Sequence, residues 1–162
     1  MDDERWMGEA LKEAAGAYDE GEVPVGAVVV LEGRIIGRGH NRVESLKDPT
    51  AHAEIIAITA ACAYKHDWRL EDATMYVTLE PCLMCAGAII VSRMKRLVYG
   101  ISDPKMGCCG SVYEILGEGS GNVGVEVSGG MLGEECKTLL QEFFKERRTR
   151  AEKTQMEGWP SG

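Results

Sequence analysis

Apolar residues recur at three- and four-residue steps from Trp6 through Ala10, Leu11, Ala14 and Tyr18, and Gly21 follows where such a run stops. That is the pattern of a helix burying one stripe. Two apolar stretches, 25–31 and 34–39, flank Glu32-Gly33 and predict a β-hairpin. Downstream the pattern predicts a helix over 51–65, a strand over 74–79, a helix over 82–92, strands over 97–100 and 123–127, and a last helix over 133–148. Strands interleaved with helices predict a layered α/β domain with a mixed sheet, and no internal repeat interrupts it. A chain of 162 residues suffices for one core, so residues 1–152 are expected to form a single domain. Residues 153–162, polar and ending in Gly158-Trp159-Pro160-Ser161-Gly162, are expected to form a flexible tail.

Composition narrows the setting. Hydrophobic residues at 44% and charged residues at 27% are ordinary globular usage and exclude extended disorder away from the ends. The start, Met1-Asp2-Asp3-Glu4-Arg5, lacks an apolar signal core, and the longest strongly apolar run, 86–91, is too short to cross a membrane. A cytoplasmic protein without a membrane partner is expected. The six cysteines are not needed as a disulfide framework in a chain this size. Cys62 and Cys136 lie in apolar helical settings and read as small core residues. Cys108 and Cys109 read as part of a loop of small residues rather than a redox pair, since Lys105 is the one nearby group that favours a thiolate.

A net charge of −8 is unusual for a protein that meets nucleic acid, but the charge is polarised. Residues 1–22 hold eight acids against Arg5 and Lys12, a net of −6, which leaves −2 for the remainder. Lys145, Arg147, Arg148, Arg150 and Lys153 cluster at the other end. Such a basic end suits a phosphate backbone, and equally suits a solvated helix terminus whose cations complement the dipole.

The candidate chemistry lies in His52-Ala53-Glu54 and Pro81-Cys82-Leu83-Met84-Cys85. An imidazole and two thiols make three ligands for zinc and leave a tetrahedral ion one open position, where a bound water becomes acidic near neutral pH. Glu54 is then a carboxylate free for proton transfer. If Pro81 opens a helix, Cys82 and Cys85 share the face of its first turn, where the dipole favours thiolates. Asp48-Pro49-Thr50 is a turn and cap signal that sets His52 just inside a second helix. On an ideal helix Glu54 stands roughly 200° from His52, so spacing alone does not bring both to one metal. Taken singly, a C-x-x-C also fits a redox pair or half of a structural zinc site. Disulfide exchange, however, leaves His52 and Glu54 without a role.

The H-x-E and P-C-x-x-C pair resembles the signature of zinc-dependent nucleobase deaminases. More closely, the chain resembles the tRNA-specific adenosine deaminase family through Gly21-Glu22-Val23-Pro24-Val25-Gly26-Ala27, Asp48-Pro49-Thr50-Ala51-His52-Ala53-Glu54 and Tyr76-Val77-Thr78-Leu79-Glu80-Pro81-Cys82. The likeness continues through Met84-Cys85-Ala86-Gly87-Ala88, Asp103-Pro104-Lys105, Gly110-Ser111, Phe143-Phe144 and Arg147-Arg148, so it covers about residues 4–150. It departs at Asn122-Val123, where the tRNA enzymes usually read Asn-His, and at Cys108-Cys109, where they usually carry small residues.

This resemblance implies a three-layer α/β/α cytidine-deaminase-like fold with a mixed five-stranded sheet, a homodimer, and one zinc ion per subunit held by His52, Cys82 and Cys85. It implies that Glu54 is the proton carrier, that Asn41 and the Ala53 backbone hold the base, that Asp103 and Lys105 contact flanking nucleotides, and that Phe143 or Phe144 lines the cleft. At helical spacing those two aromatics fit a core role equally well. The expected reaction is hydrolysis of wobble adenosine to inosine in a tRNA anticodon loop, where the target base is already unpaired and leaves its stack at low cost. Two other readings stay open: deamination of a free base or nucleoside such as guanine, cytosine or an analogue, which Val123 and the acidic balance favour, and a catalytically silent zinc module, which the presence of Glu54 disfavours.

Overall fold

A computed structural model describes residues 2–121 and 124–158. Helix α1 (Asp3–Asp19) leads into strands β1 (Gly26–Leu31) and β2 (Arg34–His40), then a one-turn helix α2 (Val43–Leu46) and α3 (Ala53–Lys65). Strand β3 (Thr74–Leu79), helix α4 (Leu83–Val91), strands β4 (Arg96–Ile101) and β5 (Glu126–Ser128) and helix α5 (Gly133–Gly158) complete the chain. The five strands form one sheet in the order β2-β1-β3-β4-β5. β1 runs antiparallel to β2 and β3, whereas β3, β4 and β5 are mutually parallel, so the sheet is mixed.

The hairpin turn falls on Glu32 and Gly33, both with positive φ, as a two-residue turn matching the strand twist requires. Both faces of the sheet are covered, which is why the middle of β1 reads as an unbroken apolar run rather than an alternation. Ala27 and Val29 face the core built by α3 and α4 with Met75, Val77 and Leu97. Val28 and Val30 face the opposite core, with Trp6, Met7 and Ala10 of α1 and Cys136 of α5.

Glycines set how closely α3 lies on β2. A Cβ at Gly39 would stand 2.5 Å from the Ala53 carbonyl oxygen, and one at Gly37 2.3 Å from that of Ala57. With Ala53, Ala57 and Ala61 as the facing residues, helix and strand meet backbone to backbone. On the other face Asp3, at the start of α1, accepts two hydrogen bonds from Arg96 of β4 (2.8 and 2.7 Å) and one from the Tyr76 hydroxyl of β3 (2.7 Å).

Several boundaries differ from the sequence reading. α3 and α4 each begin one or two residues later than expected, at Ala53 and Leu83, because His52 and Cys82 take the extended conformation of N-cap residues. α5 continues past Lys153 to Gly158, so the segment expected to be a loose tail is helical over most of its length. Residues 151–155 are exposed, and good helix formers among them carry the helix on without help from packing. The expected strand 123–127 is seen at Glu126–Ser128, and Val123 itself lies outside the described residues. No described helix is long and apolar enough to cross a membrane.

The Arg96 guanidinium beside Asp3 holds its carboxyl below the usual value of 3.8. A depressed carboxyl contributes stability that is complete above its unfolded pKa and is lost as the pH falls through the folded one. Asp3→Asn is therefore expected to destabilise the fold by about 1.5–3 kcal/mol at pH 7, with the gap to the native chain narrowing as the pH falls below the usual 3.8, as urea titrations across that range would measure.

Candidate metal centre and active-site cleft

The two helices that carry the motifs start side by side at one end of the sheet. Asp48 accepts hydrogen bonds from the backbone N–H and the hydroxyl of Thr50 (2.8 and 2.7 Å), a closed turn that delivers the chain to His52. His52 is the N-cap of α3 and Cys82 the N-cap of α4, and neither side chain caps its own helix. Both are turned instead toward a common point, where Cys85, in the first turn of α4, joins them. His52 Nδ1 lies 3.5 Å from Cys82 Sγ and 3.5 Å from Cys85 Sγ. Among the described residues these three form the group able to hold a metal ion. Zinc–sulfur and zinc–nitrogen bonds of about 2.3 and 2.0–2.1 Å at a tetrahedral angle span roughly 3.5–3.6 Å between ligand atoms, so the donor set fits a tetrahedral zinc ion. The placement also removes the angular objection. His52 is extended rather than helical, so Glu54, the second residue of α3, is free to share its side of the cleft.

The electrostatics follow from burial and crowding. A hydrogen bond from Cys85, with help from His52, holds the Cys82 thiol down at about 4, in the thiolate form that binds metal. Sharing that bond, together with burial, pushes the Cys85 thiol up, and the Cys82 thiolate raises His52. Burial pushes the Glu54 carboxyl up to about 7. It is 4% exposed. Burial likewise raises the Cys108 thiol, and raises Cys109 and Cys136 to about 12, so these are packing residues and not nucleophiles.

His52 and Glu54 open onto a cleft of about 380 Å³. Asn41, Ala53 and Asp103 line it. Asn41 is oriented by its amide, which donates to the Val23 carbonyl (3.4 Å) and accepts from the Val43 N–H (3.3 Å). Asp103 accepts from the backbone N–H groups of Lys105 and Met106 (3.0 and 3.2 Å), so its first task is to shape its own loop. Lys105 is exposed beside the cleft and is not among its lining residues. Of the two roles open to Phe143, cleft wall or core, the structure shows the core: it is 5% exposed and its ring meets Tyr18 edge-on at 5.8 Å. Phe144 is exposed and likewise off the wall. Arg147 reaches the rim in their place, donating to the Gly21 carbonyl (2.6 Å) with its guanidinium over the Phe143 ring.

Two buried carboxylates in the cleft wall were not anticipated from sequence. Burial pushes Glu22 up, but the N–H groups of Glu44 (3.0 Å) and Ser45 (2.7 Å) outweigh it and hold the carboxyl below its ordinary value. Glu80 gathers the loop that follows β4. Nothing in their spacing marks either residue, because their partners are backbone groups supplied by folding.

A mixed sheet between helix layers, with a His-Cys-Cys ligand set and a buried carboxylate at two helix starts, defines a deaminase of the metal-dependent kind. The sequence as a whole agrees. Residues 1–148 match the MafB19-like deaminase family. A tRNA-specific adenosine deaminase of Bacillus subtilis is 51% identical over 146 residues, 90% of this chain and 91% of that one. A solved structure from a study of A-to-I editing by tRNA:A34 deaminases superposes with a TM-score of 0.79 at 44% identity, covering 84% of this chain and 99% of that one. A guanine deaminase from Nitrosomonas europaea superposes with a TM-score of 0.74 at 27% identity, covering 86% and 83%. This chain belongs to the tRNA-specific adenosine deaminase family.

A divalent ion held by these three side chains would bind with a pH signature that they set. His52 and Cys85, both raised, carry protons that a bound divalent ion must displace, and each displaced proton makes affinity rise about tenfold per pH unit. Zinc affinity measured by chelator competition is expected to increase by at least about tenfold from pH 6 to pH 7, and a flat profile would contradict the ligand set.

Proposed function

We propose that the chain hydrolyses the 6-amino group of adenosine at the wobble position of a tRNA anticodon loop, giving inosine and ammonia. The observation that carries the reading is the buried Glu54 carboxyl, pushed to about 7, beside the convergent His52, Cys82 and Cys85. The family's named members and the A34-editing neighbour support the choice of substrate. One zinc ion per subunit, held by those three side chains, would supply a Lewis acid that makes water a nucleophile at neutral pH.

The chain's own groups do the rest. A carboxyl that titrates near neutrality both takes and returns a proton at working pH. Glu54 takes a proton from the attacking water and passes it to purine N1 as the C6–O bond forms, then takes the proton of the new C6 hydroxyl and passes it to the amine, which leaves as ammonia when the C6–N6 bond breaks. In this reading Asn41, whose amide is oriented by Val23 and Val43, hydrogen-bonds the purine, and the Ala53 backbone helps to fix it. Asp103, Lys105 and Phe144 are assigned to the flanking nucleotides, and Phe143 to the support of that surface. Arg147 at the rim carries a charge suited to phosphate. Deamination of a free base is the second reading, favoured by the superposition on a guanine deaminase and by Val123 in place of the family histidine.

A cytoplasmic homodimer completes the proposal. Six free cysteines suit a reducing compartment. α4 is apolar throughout, yet Leu83 is 56% and Val91 68% exposed, a face that a second copy of the chain would cover. Leu83→Glu with Val91→Glu is expected to turn a dimer into a monomer in sedimentation analysis, and a native chain that sediments as a monomer would remove the assignment.

Glu54→Gln is expected to lower turnover by at least ~10²-fold while zinc content stays the same. Offering the zinc-loaded protein an anticodon stem-loop with wobble adenosine, beside free adenine, guanine, cytosine and cytidine, separates the two readings. Inosine from the stem-loop is expected. Ammonia from a free base alone would overturn the tRNA assignment.

A further inference from the structure

Glu80 stands two residues before the metal ligand Cys82 and is 2% exposed. One carboxylate oxygen accepts the Asp103 N–H (3.0 Å) and the Ser111 hydroxyl. The other accepts the N–H groups of Cys109 (2.7 Å) and Ser111 (3.3 Å). All four donors come from 103–111, the loop whose Asp103 and Met106 form one wall of the cleft. The Cys108 N–H adds a fifth tie, to the Pro81 carbonyl (2.9 Å). Gly107 arches over the carboxylate, where a Cβ would lie 2.4 Å from the Glu80 Cδ.

We infer that Glu80 is a positioning residue for substrate: it sets the distance between the cleft wall at Asp103 and the metal ligand at Cys82, by holding both ends of the 103–111 loop from the residue that leads into α4. A carboxylate meets this need and an amide does not. Every donor facing it is an N–H or O–H group, and an ionised carboxylate offers acceptors at both oxygens. A buried charge with all its partners drawn from one loop orders that loop more sharply than an apolar side chain, which fills space without direction. The wall it holds touches substrate in the ground state and the transition state alike, so its displacement belongs in KM rather than kcat.

This inference rests on the proposed reaction only for its choice of substrate. Glu80→Gln keeps the shape of the side chain and turns one acceptor into an NH₂ group that faces other donors. Steady-state kinetics on the wobble-adenosine stem-loop, zinc content and amide hydrogen exchange are measured on the native protein and on Glu80→Gln. KM is expected to rise about tenfold, the scale of one charge-assisted hydrogen bond, with kcat within about twofold and zinc stoichiometry unchanged. Faster exchange is expected in 103–111 and not in α4. Ser111→Ala, which removes one donor, is expected to move KM and exchange in the same direction by less, and it decides the matter should Glu80→Gln not fold. Unchanged KM with unchanged exchange overturns the inference, as does a joint fall of kcat and zinc content, which would make Glu80 a support of the metal helix. A native protein inactive on the stem-loop overturns the proposed substrate instead. The KM comparison is then made on whichever free base is deaminated, and the exchange readout stands without any substrate.

Discussion

Backbone contact between α3 and β2 is the constraint on which the rest of the structure depends. The start of α3 carries His52 and Glu54, and its distance from the sheet decides whether they meet the cysteines of α4. Gly37 and Gly39 on the strand, and Ala53, Ala57 and Ala61 on the helix, leave no side chain wide enough to hold the two apart. Small residues on both sides therefore serve geometry rather than burial, since they remove little apolar surface from water but fix where the ligands converge.

Much of this was legible in the sequence. The helix stripe of α1, the Glu32-Gly33 turn and the strand β3 follow from periodicity and turn chemistry, and the His52, Cys82 and Cys85 that the fold brings together are the three that two motifs singled out. The missing step was angular. Reading His52 and Cys82 as helical residues placed Glu54 roughly 200° from its partner, whereas both are extended caps; a single φ/ψ choice at a helix boundary, invisible to periodicity, decides whether the site closes. The end of α5 was misjudged for the opposite reason, because polar residues without an apolar stripe look like a tail even when their helix propensity is high.

Glu22 and Glu80 show a different limit. Each is a carboxylate in the wall of a cleft, and each faces backbone N–H groups more than twenty residues away in the chain. Such partners carry no residue-type signal, so the two acids look like ordinary surface charges until the fold encloses them. Enclosed, they shape the two loops that flank the substrate cleft, one through α2 and the other through 103–111. Phe143 and Arg147 form a related pair on α5, the ring buried and the guanidinium laid over it toward the rim.

Neither His52 nor Cys82, the N-caps of α3 and α4, makes a side-chain capping hydrogen bond to its own helix, and both side chains turn instead toward each other and Cys85. A capping side chain is ordinarily worth about 1 kcal/mol to a helix, so both first turns forgo that support to leave the two side chains free for the cleft. An ion held by the three side chains would tie its occupancy to the order of both turns, and heat resistance would then rise with loading.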